Sequence, residues 1–151
     1  MPPTERWFED NVPGTVYEYG SYVMSEAEIL EFATKYDPQP FHIDAEAAKH
    51  SNFGGLIASG WHTASAMMRL MADQHLSPGS SMGSPGIDEI RWPRPVRPGD
   101  TLRLRITVLE VIPSRSKPDR GIVRSHSEAL NQHGEVVMSW KGMVMTRRRP
   151  V

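Results

Sequence analysis

The strongest constraint on the fold is one long apolar helix pattern, which begins near Ser59, ends near His75 and is followed only by strand patterns. Its apolar residues recur at spacings of three and four residues and comprise Trp61, Ala64, Met67, Met68 and Met71, with Leu70 and Ala72 beside them. At a rise of about 1.5 Å per residue, such a helix is roughly 24 Å long. Because the apolar belt is so wide, we expect the helix to be buried against a curved surface.

Strand patterns account for most of the remaining apolar residues. Five segments alternate or are rich in β-branched and aromatic residues, namely residues 15–24, 81–92, 101–112, 121–130 and 135–145. The last two flank Asn131-Gln132-His133-Gly134, which is typical of a hairpin turn. Ser25 followed by Glu28 is a capping-box pattern, and it predicts a helix that runs to about Tyr36. We expect Asp44 to cap a short helical turn after it.

These elements fit a long central helix wrapped by one curved antiparallel sheet of about five strands. This is the α+β arrangement known as the hotdog fold. The sheet would have edge strands, and the far side of the helix would still need cover. Association through sheet edges meets both needs, so we expect a homodimer or a dimer of dimers.

Composition argues against several classes of protein. A formal net charge of −1 offers no basic field for nucleic acid, and the absence of cysteine excludes disulfides, thiolate nucleophiles and Cys-ligated zinc. No apolar run approaches the ~20 residues of a membrane span, and the acidic N-terminus is unlike a signal peptide. We therefore expect one domain over residues 1–151, with residues 1–13 as an arm packed on it, in the cytoplasm and without nucleic-acid or membrane partners.

A carboxylate and an imidazole stand five residues apart in a proline-rich stretch, at Asp37 and His42. Pro38 and Pro40 disfavour a helix here, so we expect a rigid, non-helical loop in which both side chains converge on one small volume. The long helix begins nearby at Gly60, and the free N–H groups of its first turn would attract negative charge. This combination suits a reaction in which a proton moves while a carbonyl oxygen becomes anionic.

The proline-rich stretch resembles the motif of the MaoC-like dehydratases, the family of (R)-specific enoyl-CoA hydratases, in which Asp-x-Asn-Pro-x-His precedes x-Asp or x-Glu. The chain reads Asp37-Pro38-Gln39-Pro40-Phe41-His42-Ile43-Asp44 and departs from that motif only at Gln39. Other stretches similar to the family are Gly54 to Gly60, Pro95 to Leu102, and Trp7 to Asp10 with Pro13-Gly14. Relatives often carry a small polar residue about two turns into the long helix, where this chain has Met67 and Met68.

The resemblance implies reversible syn addition of water across the C2–C3 double bond of a trans-2-enoyl-CoA, a carbon–oxygen lyase reaction of fatty acid metabolism. Asp37 and His42 would hold the water and move its protons, and the backbone N–H of Gly60 would stabilise the enolate oxygen. The residues expected to bind substrate are Gln39, Ser59, Trp61, His62 and Arg91. No metal or redox cofactor is implied, and coenzyme A enters only as the thioester carrier of the substrate.

Several of these residues also have a structural interpretation that the sequence leaves open. Asp37 alone would suit a turn cap, His42 alone a core histidine bonded to backbone, and His62 packing within the helix. Arg91 would suit a solvated face as well as a CoA phosphate. The spacing of His42, Asp44, His50 and His62 matches no zinc signature. At the level of function, the alternatives are a hotdog acyl-CoA thioesterase and a non-catalytic acyl-CoA-binding hotdog protein.

Overall fold

The structure is a computed structural model that describes residues 5–151. Its strands are β1 (Val16–Val23), β2 (Ile87–Arg91), β3 (Thr101–Pro113), β4 (Arg120–Leu130) and β5 (Val136–Arg147). Its α-helices are α1 (Glu26–Tyr36), α2 (Pro40–Ile43), α3 (Ala45–Lys49) and α4 (Gly60–Gln74), and a 3-10 turn covers Phe8–Asp10.

The five strands form one antiparallel sheet in the order β1-β3-β4-β5-β2, so that β1 and β2 lie at its edges. The alternation predicted for β3 is confirmed, because its even-numbered residues from Leu102 to Val108 are buried. The predicted hairpin also forms, with β4 and β5 joined through residues 131–135. The α+β hotdog arrangement predicted from the sequence is therefore present.

The long helix α4 packs across one face of the sheet, against β1, β3 and β5. Its buried residues are His62, Thr63, Ala66, Met67, Leu70 and Met71. The predicted extent of the helix is confirmed. The prediction that Trp61 and Met68 lie on its buried face is wrong, because they are 57% and 45% exposed. The polar residue His62 occupies the buried face instead, since its ring finds a hydrogen-bond partner on α1.

Helix α1 begins as predicted, with the Ser25 hydroxyl accepting a hydrogen bond from the backbone N–H of Glu28. The second half of the predicted capping box does not form, because the Glu28 carboxylate bonds to Tyr22 and His62. Asp44 caps α3 as predicted, accepting from the N–H groups of the second and third residues of that helix.

Two local predictions need correction. The stretch from Asp37 to His42 is not free of helix, because α2 begins at Pro40, where a proline has no N–H to lose and its fixed φ suits the first helical turn. The strand predicted for residues 81–92 is shorter and covers only β2. Pro85 lacks the N–H that a strand ladder requires, and Gly83 has a φ of +90°.

The start of the described chain packs on the sheet through Phe8. This ring is buried against Val108 and Val123, and it lies so close to Gly121 that a Cβ there would meet it at 2.4 Å. Residues 1–4 of the predicted arm lie outside the described residues.

Candidate active site

One cavity of about 410 Å³ collects most of the predicted site residues. Asp37, Gln39 and His42 lie on one side, and Gly60 and Trp61 at the start of α4 lie on another. The remaining lining residues are Phe41, Phe53, Ile57, Ala58, Thr63 and the segment 92–96. The end of α1, the start of α4 and the segment after β2 therefore meet around this space.

Asp37 and His42 face each other on this side of the cavity, with 3.3 Å between Asp37 Oδ2 and His42 Nε2. His42 is only 5% exposed, and its Nδ1 lies 2.8 Å from the carbonyl oxygen of Ile57. A carbonyl accepts hydrogen bonds but cannot donate, so Nδ1 carries the hydrogen and a neutral ring presents a lone pair at Nε2. Two acceptors then converge, which suits a proton donor such as water bound to both.

Two further side chains hold the Asp37 carboxylate in place. Gln39 Nε2 donates to Oδ1 and Ser59 Oγ donates to Oδ2, and the donor–acceptor distance is 2.7 Å in both bonds. Burial raises the pKa of Asp37, but the hydrogen bonds from Gln39 and Ser59, together with the charge that His42 carries when protonated, outweigh it, so the pKa lies below its ordinary value. Asp37 is therefore a carboxylate at neutral pH. Gln39, the one departure from the family motif, bonds to this carboxylate.

Ser59 lies behind the carboxylate. Although Ser59 was predicted to bind substrate, it is 0% exposed and lies outside the cavity lining. As the N-cap of α4 it accepts a hydrogen bond from the N–H of Trp61, while its hydroxyl donates to Asp37. Ser59 thus orients Asp37 relative to α4.

Gly60 is the first residue of α4 and borders the cavity, but a tryptophan ring occupies the space that a side chain here would need. A Cβ at Gly60 would lie 2.5 Å from Cε2 of Trp92, and the Trp92 indole N–H donates to the Gly60 carbonyl over 3.0 Å. The lack of a side chain at Gly60 leaves room for Trp92. The Trp92 ring also contacts Trp61 edge to face, with 5.3 Å between the ring centroids.

The sequence did not predict that the segment from Trp92 to Val96 forms one wall of the cavity. A tryptophan directly after a strand and before Pro93 and Pro95 is a turn signal, but nothing local shows that this turn reaches the start of α4, 32 residues earlier. Arg94 of this wall lines the cavity and pairs with Glu135 over 3.0 Å.

Two predicted substrate-binding residues lie elsewhere. His62 points between α1 and α4, with its Nε2 3.1 Å from Glu28 Oε1, because Glu28 supplies the acceptor that a buried imidazole needs. Arg91 is outside the cavity lining and bonds to Glu89 on the same strand. Arg91 lies on the edge strand β2, and its side chain is exposed to solvent.

Across the described residues, 5–151, no three His, Asp or Glu side chains gather closely enough to hold a metal ion. No helix in that same range is long and apolar enough to cross a membrane.

Comparisons with known proteins find similarity to one family. The family model described as "MaoC like domain" matches residues 8–129. A MaoC-like dehydratase from Rhodospirillum rubrum is 45% identical, with a TM-score of 0.91 over 97% of this chain and 100% of that one. The R-hydratase PhaJ1 from Pseudomonas aeruginosa is 26% identical, with a TM-score of 0.73 over 95% of this chain and 86% of its own. A 3-hydroxybutyryl-CoA dehydratase of Methylorubrum extorquens is 26% identical over 133 residues, which cover 87% of this chain and 82% of that protein.

Proposed function

The chain belongs to the MaoC-like domain family, and we propose that it adds water reversibly across the C2–C3 double bond of a trans-2-enoyl-CoA to give an (R)-3-hydroxyacyl-CoA. The observation that carries the proposal is the 3.3 Å approach of Asp37 Oδ2 to His42 Nε2 on the cavity that also borders the start of α4. We place this activity in the fatty acid metabolism of the cytoplasm, with acyl-CoA as the partner molecule.

His42 Nε2 is the group best suited to move the proton. Its Nδ1–H is held by the Ile57 carbonyl, so Nε2 is free to accept a proton from water as the water oxygen attacks C3. Asp37 is a weak base, because its pKa is lowered despite burial. It would instead orient the water and stabilise the imidazolium that forms.

The same nitrogen completes the reaction. Once C3 has bonded to the water oxygen, the imidazolium at His42 Nε2 delivers its proton to C2 and returns to the neutral form. Because the hydroxyl and the proton arrive from the same side of the double bond, the addition is syn. Dehydration follows the same steps in reverse. No metal or redox cofactor takes part in this scheme.

Negative charge grows on the thioester oxygen when C3 is attacked. The N–H of Gly60 is the donor proposed for it, because first-turn amides of a helix have no intrahelical acceptor and lie at the positive end of the helix dipole. Donors of this kind are most effective in a site that excludes water. The rings of Trp61 and Trp92 contact each other and line the cavity at this end of the helix.

Crotonyl-CoA is the first substrate to test, because the Methylorubrum extorquens relative carries the name 3-hydroxybutyryl-CoA dehydratase. Incubation should remove the conjugated enoyl absorbance without releasing thiol, and chiral analysis should find the (R)-3-hydroxy product. Release of free CoA would instead indicate a thioesterase. Binding of crotonyl-CoA without turnover would indicate an acyl-CoA-binding protein.

Self-association is part of the proposal. β2 is a short edge strand whose outer side is unpaired in the described chain, and exposed apolar side chains lie near it, including Trp61, Met68 and Ile87. A homodimer or dimer of dimers would cover this surface. Light scattering of the purified protein should give at least twice the mass of one chain, and a monomer at micromolar concentration would contradict this.

A further inference from the structure

A second cluster of ionisable groups lies outside the cavity and joins three elements. Glu28 of α1 accepts two hydrogen bonds at the same carboxylate oxygen, one from the Tyr22 hydroxyl of β1 and one from His62 Nε2 of α4. The hydrogen bond from Tyr22 lowers the pKa of Glu28, burial raises it, and the hydrogen bond from His62 lowers it again. The net result is a pKa below the ordinary value. Glu28 is therefore a charged acceptor at neutral pH.

α1 holds the His62 ring on two sides. Phe32, one turn after Glu28, stacks on the imidazole with ring centroids 4.9 Å apart and planes within 11°. His62 is only 3% exposed, and its Nδ1 has no hydrogen-bond partner among residues 5–151. A buried unpaired polar atom costs about 1–3 kcal/mol, so an apolar ring would pack here at lower cost. Stability alone does not explain a histidine at this position.

The cluster lies on the same pair of helices that carries the site. α1 ends at Asp37, which caps its C-terminus, and α4 starts after Ser59, whose carbonyl accepts the backbone N–H of His62 over 3.0 Å. The Glu28–His62 bond and the Asp37–Ser59 bond thus link α1 to α4 at two points. A shift of one helix at the first point would change the geometry at the second.

We propose that Glu28 and His62 are positioning residues, whose contact sets α1 against α4 so that Asp37 stays bonded to Ser59 and faces His42 Nε2. The kinetic part of this inference rests on the proposed hydratase function. It also gives a role to His62, which the structure removes from the substrate cavity.

His62→Phe is the most selective variant, because it keeps a ring against Phe32, removes the donor to Glu28 and also removes the unpaired nitrogen. We expect kcat for crotonyl-CoA to fall about tenfold with KM within about twofold, since small displacements of catalytic groups are costly. The melting temperature should stay the same or rise. His62→Gln, whose amide N–H can replace Nε2, should restore most of kcat.

Two further variants sharpen the test. Glu28→Ala should lower kcat as His62→Phe does, and the double variant should be no worse than either, because both remove one interaction. Asp73→Ala is the matched control, since it removes an exposed ion pair with Arg69 on α4 without touching α1. It should leave kcat unchanged.

A readout that needs no enzyme activity separates this inference from the proposed function. The pKa of Asp37, measured by carbon NMR of its carboxyl group, should rise in His62→Phe and Glu28→Ala as the bond from Ser59 loosens, and should not move in Asp73→Ala. An unchanged Asp37 pKa in both cluster variants would overturn the inference. So would a loss of kcat that follows a lower melting temperature and is not restored in His62→Gln. A wild-type protein that does not hydrate crotonyl-CoA would contradict the proposed function alone, because the titration would still report the positioning.

Discussion

Ser59 Oγ donates a hydrogen bond to Asp37 Oδ2 over 2.7 Å, and the bond joins the N-cap of α4 to the C-cap of α1. The oxygen that accepts this bond is also the one that faces His42. The orientation of the Asp37 carboxylate is therefore determined by how the end of α1 meets the start of α4. The proline-rich segment between them supplies the imidazole, through the short helix α2.

Replacement of Asp37 by Asn keeps the size of the side chain but removes its charge. The amide cannot stabilise an imidazolium at His42, so we expect kcat for crotonyl-CoA to fall about 10²–10⁴-fold with little change in KM. Steady-state kinetics with matched circular dichroism spectra would measure this. Full turnover in Asp37→Asn would rule out the mechanism, and a similar loss in His42→Gln would support the shared role of the two residues.

Ser59→Ala should weaken both stability and activity. Loss of the N-cap acceptor costs about 1 kcal/mol, to be read from urea unfolding. Loss of the donor to Asp37 Oδ2 should raise the pKa of that carboxylate towards its ordinary value and lower kcat. Ser59→Thr keeps the hydroxyl and is the matched control. If Ser59→Ala lost stability but kept kcat, Ser59 would be a helix cap without a role in aiming Asp37.

Features that depend on neighbouring residues in the chain could be predicted from the sequence. Features that depend on contacts between distant parts of the chain could not. The convergence of Asp37 and His42 follows from their proline-rich spacing, and the fold follows from periodicity. Periodicity placed Trp61 on the buried face of α4 and did not identify His62 there, because the partner that satisfies His62 lies 34 residues earlier, on α1. The approach of Trp92 to Gly60 was missed for the same reason.

Gly60→Ala tests the close approach of Trp92. The added Cβ would lie 2.5 Å from the indole, so the ring has to move, which we expect to cost about 1–3 kcal/mol of unfolding free energy. Urea unfolding and tryptophan fluorescence would report both effects. Gly86→Ala is the control, because a Cβ there meets nothing within 4 Å. If Trp92 causes the clash, Gly60→Ala should cost much less in a Trp92→Ala background, and an equal cost in both backgrounds would contradict this.

Acid sensitivity of folding should depend on His75, which lies at the far end of α4 from the cavity. Burial, with a smaller effect of the Arg6 charge, lowers the pKa of His75 to about 4, and the Tyr19 hydroxyl lies 2.9 Å from its Nδ1. In the unfolded chain the pKa would return to about 6.5, so between these values the unfolded state binds the extra proton. The titration of His75 therefore leaves the free energy of unfolding unchanged above about pH 6.5. As the pH decreases towards 4, it lowers this free energy by about 3 kcal/mol in total.

The lowered pKa values of Glu28 and Asp37 act at lower pH, because carboxylates in the unfolded chain take up protons mainly below about pH 4.5. His75→Asn offers Tyr19 an acceptor that does not titrate, so its unfolding free energy should vary less between pH 6.5 and 4 than that of the wild type. His50→Asn, at an exposed histidine, is the control and should keep the wild-type slope. Urea unfolding at a series of pH values would measure the slopes, and equal slopes for His75→Asn and the wild type would show that His75 is not the group responsible.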